Sequence, residues 1–156
     1  MKQLAIAALA LSFATPALAD VQGEARDLSA AVFANIDENS NGSVDRQEFL
    51  LGSPNFFVSI DGDDSGAISM EEMTGWDFGF ANLAEKSNRQ AAYTTALKTS
   101  FIFLDANGNN EISKGEWRLL QSDGFFRSDA DNNGILTVDE FVDGFPLLVA
   151  IRSAFE

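Results

Sequence analysis

Between short runs of Asp, Asn, Ser and Gly, the apolar residues of this 156-residue chain return at helical intervals. Ala25, Leu28, Val32, Phe33 and Ile36 make one such stripe. Ser87-Asn88-Arg89-Gln90 matches a capping box and opens a second helix, with Tyr93, Leu97, Phe101 and Leu104 on one face. Met73, Trp76, Phe80 and Leu83 fit a third face, interrupted by Gly75 and Gly79, which weaken a helix interior. The aromatic cluster from Trp76 to Phe80 is expected to serve as core packing rather than as a partner site. After Pro146, the residues Leu147, Leu148, Ile151 and Phe155 mark a last amphipathic helix suited to docking on its own protein. The pattern predicts an all-α fold.

Four of the polar runs repeat one another. Residues 37–48, 61–72, 105–116 and 129–140 all follow D-x-[DN]-x-[DNS]-[GN]-x-[VIL]-x-x-x-E. Positions 1, 3 and 5 carry short oxygen side chains: Asp37, Asn39 and Asn41; Asp61, Asp63 and Ser65; Asp105, Asn107 and Asn109; Asp129, Asp131 and Asn133. Position 6 has to turn with positive φ, which Gly42, Gly66 and Gly134 do without a Cβ clash. Asn110 holds that place in the third loop, and Asn is the side chain best suited to left-handed backbone. Position 7 offers only a backbone carbonyl, at Ser43, Ala67, Glu111 and Ile135. Position 9, at Asp45, Ser69, Ser113 and Thr137, is expected to act through a bridging water. Position 12 needs the longer carboxylate of Glu48, Glu72, Glu116 and Glu140 to hold an ion with both oxygens. The donors are hard oxygens at the spacing of a calcium loop, and they provide for up to four Ca²⁺.

The loops begin at 37, 61, 105 and 129, so two close pairs are expected, residues 20–86 and 87–156, either separate or packed as one compact domain. Within each pair the position-8 residues should meet in a short antiparallel bridge, Val44 with Ile68 and Ile112 with Leu136. Residues 49–60 and 117–128 then each have to contain a stubby helix, a turn and a second stubby helix. Gly52-Ser53-Pro54 and Ser122-Asp123-Gly124 supply the expected stops. Phe33, Phe57, Phe101 and Phe125 stand four residues before a loop, and Phe49, Met73, Trp117 and Phe141 directly after one. Helices entering and leaving a loop aim those positions at a shared core.

Composition narrows the chemistry. The chain has no Cys and no His, which removes thiolate and imidazole metal sites and histidine-based catalysis. No pairing of carboxylates outside the loops points to an enzyme. A net charge of −14 opposes binding to nucleic acid. Sixteen of the 24 acidic residues lie inside the four loops, where they repel one another without metal. At the N-terminus, Lys2, the apolar residues 4–13 and Ala17-Leu18-Ala19 read as a cleavable signal peptide over residues 1–19. A periplasmic or secreted protein, not inserted in a membrane, is expected.

The four loops resemble those of the EF-hand superfamily of calmodulin-like proteins, and their 24-residue spacing is similar to that of bacterial members with short-linked loops. The resemblance implies paired helix–loop–helix units, calcium as the ion, and a role as sensor or buffer, the former with a calcium-dependent protein target. A calcium-stabilised structural module is the other reading. Lanmodulin-like lanthanide binding ranks lower, because position 2 lacks Pro and only Asp45 is acidic at position 9.

Overall fold

The computed structural model describes residues 18–156. Most of the expected signal peptide lies outside the described residues. The chain runs α1 (Leu18–Ile36), β1 (Ser43–Asp45), α2 (Arg46–Ile60), β2 (Ala67–Ser69), α3 (Met70–Gly75), α4 (Phe80–Lys86) and α5 (Gln90–Leu104). It continues through β3 (Glu111–Ser113), α6 (Lys114–Ser128), β4 (Ile135–Thr137), α7 (Val138–Gly144), α8 (Pro146–Arg152) and a 3₁₀ turn at Ser153–Phe155. The fold is helical, with two two-stranded antiparallel bridges.

Strand pairing departs from the sequential expectation. Val44 meets Leu136, and Ile68 meets Ile112. Loop 1 therefore pairs with loop 4 and loop 2 with loop 3, across the expected division at residues 86 and 87. The reason lies in α2 and α6, each one continuous helix of 15 residues where a helix–turn–helix was expected. A rod of that length spans about 22 Å, which keeps the loops at its two ends apart. α2 packs against α6, and that contact sets each end of one rod beside an end of the other.

The expected stops have other work. Pro54 sits inside α2, where it removes one helical hydrogen bond. Leu50, whose carbonyl loses that bond, is exposed, as is its neighbour Leu51. Gly52 admits Ile36, whose Cγ2 would stand 3.3 Å from a Cβ there. A Cβ on Gly124 would overlap the Phe145 ring. These glycines make close crossings, not helix ends.

The core follows the crossed pairing. Phe49 lies 5.4 Å from Phe125 and 6.3 Å from Phe141, and Phe33 lies 5.7 Å from Phe141, ring centre to ring centre. These four rings flank loops 1 and 4. Phe57, before loop 2, meets Trp117, after loop 3, at 6.0 Å. The position-8 residues Val44, Ile68, Ile112 and Leu136 are wholly buried beneath the bridges. Leu147, Leu148, Ile151 and Phe155 are buried, so the last helix docks on its own protein as expected.

Two local expectations change. The face from Met73 to Leu83 is split between α3 and α4, with Gly79 at φ +93° turning the chain between them. Phe80 is buried, while Trp76 and Phe78 are half-buried and stack beside Phe56. Ser87 does not cap α5: its hydroxyl donates to the Leu83 carbonyl at the end of α4 (2.6 Å), and α5 begins without a side-chain cap.

A Cβ placed on Gly144 would stand 2.6 Å from Cα of Ser128, a backbone atom that cannot swing away. Gly144→Ala is expected to destabilise the protein by about 1–3 kcal/mol in chemical denaturation. Gly23→Ala, in open space on α1, should stabilise it by about 0.5–1 kcal/mol.

Candidate metal-binding loops

Every loop is built on its first aspartate. One carboxylate oxygen of Asp37, Asp61, Asp105 and Asp129 accepts the backbone N–H of position 6, at 2.8, 3.0, 2.8 and 2.9 Å. In loops 1, 3 and 4 the other oxygen accepts the N–H of Asn41, Asn109 or Asn133. The carboxylate thus curls the chain around itself. Position 6 is left-handed in all four loops, at φ +82° for Gly42, +86° for Gly66, +65° for Asn110 and +81° for Gly134. Asn110 adopts the turn that the sequence asked of it.

A second left-handed position was not singled out in the sequence. Ser40, Asp64, Gly108 and Asn132, at position 4, have φ of 56°, 57°, 72° and 58°. All four are small or carry a short polar group, the types that tolerate this backbone. Composition at position 4 was a usable signal.

Position 9 has a structural duty beyond the expected water-bridged one. Asp45, Ser69, Ser113 and Thr137 are the N-caps of α2, α3, α6 and α7, each in a reciprocal capping box with the position-12 glutamate. The glutamate N–H donates to the cap side chain, and the cap N–H donates back to a glutamate oxygen at 2.8 to 3.0 Å. A D/S/T-x-x-E pattern in each loop carries this signal.

The second glutamate oxygen turns to the loop's start. Glu72 Oε1 accepts from the Gly62 N–H (2.9 Å), and Glu140 Oε1 from the Ala130 N–H (3.2 Å). Glu116 Oε1 accepts from the Asn107 N–H (3.2 Å), and the Asn39 side-chain amide donates to Glu48. Position 12 is thereby folded over the loop, with one oxygen fixed at the helix cap and the other facing the cage.

Hydrogen bonds from Ser69, Ser113 and Thr137 hold the Glu72, Glu116 and Glu140 carboxyls below their ordinary range. Carboxylate oxygens of Asp61, Asp63 and Glu72 lie within 4.8 Å of one another, and so do those of Asp129, Asp131 and Glu140. Loops 1 and 3 have asparagine at positions 3 and 5 and hold fewer acids in the same geometry. Position 5 accepts the N–H of position 7 in each loop, which orients that residue: Ser43 on Asn41, Ala67 on Ser65, Glu111 on Asn109 and Ile135 on Asn133. The donor set is wholly oxygen and fits a hard divalent cation.

Arg26 on α1 bridges Asp139 of loop 4 (2.7 Å) and Asp143 on α7 (2.6 Å), and Arg152 reaches Asp143 (3.0 Å). The network ties α1 and α8 to the helix leaving loop 4. No helix among the described residues is long and apolar enough to cross a membrane.

Paired loops of this geometry define a helical protein built around oxygen-lined ion cages. A family model described as EF hand matches the chain at residues 30–51 and 97–121, which contain the whole of loops 1 and 3. The matches support the EF-hand superfamily, and EF hands imply calcium binding; loops 2 and 4, outside the matches, carry the two carboxylate clusters. No curated protein and no solved structure matches the chain.

Two outcomes are expected. At φ +65°, Asn110→Val should cost about 1–3 kcal/mol in thermal or chemical unfolding, while Asn110→Gly should be tolerated. The lowered carboxyls stabilise the fold above the ordinary carboxylate range, and that contribution is lost as pH falls through their folded values. Carbon-detected NMR titration should place the Glu72, Glu116 and Glu140 midpoints below 4.5.

Proposed function

We propose that the chain is an exported calcium-binding protein whose four loops fill as two coupled pairs, loop 1 with loop 4 and loop 2 with loop 3, and whose fold is completed by the ion. The observation that carries this reading is the crossed bridging of Val44 with Leu136 and Ile68 with Ile112. Each bridge joins a loop with a three-carboxylate cluster to one richer in asparagine. Loops 2 and 4 attract the first ions, because their acids already stand together. An ion there straightens β2 or β4, and the bridge passes that order to the partner loop.

Metal relieves the repulsion among sixteen loop acids in a chain of net charge −14. A site held at 100 times its dissociation constant adds about 2.7 kcal/mol. Met73 is buried and Met70 is half-buried against the core, so the surface of the described residues lacks the methionine-rich groove of promiscuous sensors. That favours a buffer or calcium-stabilised protein over a many-target sensor. Asp45 is the one acidic residue at position 9, and Ser69, Ser113 and Thr137 leave the other three loops without the extra charge a trivalent ion would seek. Export rests on Lys2, the apolar residues 4–13 and the Ala17-Leu18-Ala19 pattern.

Isothermal titration with Ca²⁺ is expected to resolve two classes of site. Glu72→Gln and Glu140→Gln should remove the tighter class and also weaken the bridged partner loops. Glu48→Gln and Glu116→Gln should leave the tighter class in place. Four independent sites, or a circular-dichroism melt that chelation does not move, would count against the proposal.

A further inference from the structure

Position 10 divides the loops into two kinds. It is basic in loops 1 and 3, at Arg46 and Lys114, and apolar in loops 2 and 4, at Met70 and Val138. The crossed bridges carry each basic residue to a loop with a carboxylate cluster. Ser113 pairs with Ala67, so the next residue, Lys114, faces Gly66; Asp45 pairs with Ile135, so Arg46 faces Gly134. At loop 2 the approach is close: Nζ of Lys114 stands 3.8 Å from the place a Cβ on Gly66 would take. The Gly66 N–H donates to Asp61 (3.0 Å), which belongs to the cluster with Asp63 and Glu72. Loop 2 also holds five of the sixteen loop acids, more than any other loop.

Lys114 is exposed and, among the described residues, takes part in none of the three ion pairs. It is the first residue of α6, as Arg46 is of α2, and the positive end of a helix disfavours a cation there. Each side chain lies instead against a ring in the last turn of the helix that enters the opposite loop. Nζ of Lys114 is 5.7 Å from the centre of the Phe57 ring, and Cζ of Arg46 is 4.9 Å from that of Phe126. The rings and the negative helix ends both favour the cations. Around Gly134 a Cβ would meet nothing within 4 Å, so Arg46 stands further from its loop than Lys114 does.

We propose that Lys114 sets the affinity and charge preference of loop 2 from across the bridge, and that Arg46 acts on loop 4 in the same way but more weakly. Without metal, the ammonium offsets part of the repulsion among Asp61, Asp63 and Glu72. An entering cation takes over that role and meets the ammonium as a like charge, so it binds less tightly than the acids alone would hold it. The opposing energy grows with the charge of the ion, and a trivalent ion is therefore held back more than a divalent one. This inference rests on the calcium reading of the loops and adds a residue that loop 2 does not itself contain.

Isothermal titration at low ionic strength tests it. Lys114→Gln is expected to tighten one site of the stronger Ca²⁺ class by about threefold or more, and to tighten La³⁺ binding by a larger factor. Lys114→Arg, which keeps the charge, should bind as the unmodified protein does. High salt should shrink the gain, which a lysine with only a packing role would not show. The gain should vanish when Glu72→Gln disables loop 2 and persist when Glu116→Gln disables loop 3. Arg46→Gln should give a smaller gain that Glu140→Gln abolishes. Unchanged or weaker binding in Lys114→Gln overturns the proposal, and so does a gain that survives Glu72→Gln. An unmodified protein that takes up no calcium overturns the calcium reading itself, and this inference with it.

Discussion

The continuity of α2 and α6 is the constraint on which the rest depends. Each helix leaves one ion loop and enters the next without a break, so consecutive loops stand at opposite ends of a rigid rod. A three-residue strand cannot fold back over that distance. Each loop has to find its bridge partner on the other rod, and the packing of α2 on α6 provides it. The aromatic core, the crossed bridges and the proposed coupling of ions all descend from that geometry.

Within a loop, order comes from a few short side chains acting on backbone. The first aspartate gathers N–H groups from the turn, and the position-9 residue and the final glutamate cap each other. Much of the cage is therefore specified by local hydrogen bonds. The carboxylates drawn together repel, and the fold tolerates that repulsion because the same groups satisfy helix ends that would otherwise lack partners. A divalent ion bound among them would offset that repulsion without competing for the backbone N–H groups that the caps hold.

The loops were legible in the sequence because their chemistry is local: a carboxylate at position 1, a left-handed turn at position 6 and a glutamate at position 12 each act over a few residues. Asn110 was read correctly for that reason. The capping role of Asp45, Ser69, Ser113 and Thr137 was equally local, and its D/S/T-x-x-E signal lay in the sequence. Gly52 and Gly124 were read as helix stops because glycine has more than one use. Whether it ends a helix or lets another element approach depends on what lies opposite, here Ile36 and Phe145.

The sequence by itself determined the helical class, the four oxygen-rich loops with their left-handed turns, and most of the residues that face the core. Only the tertiary structure decided which loops share a bridge. Position 8 is apolar in every loop, and Val44 is as able to pair with Ile68 as with Leu136; nothing in their side chains distinguishes the choices. The distinction arises from the straightness of two helices and their contact with each other, and a long-range contact of that kind leaves no mark at any single position.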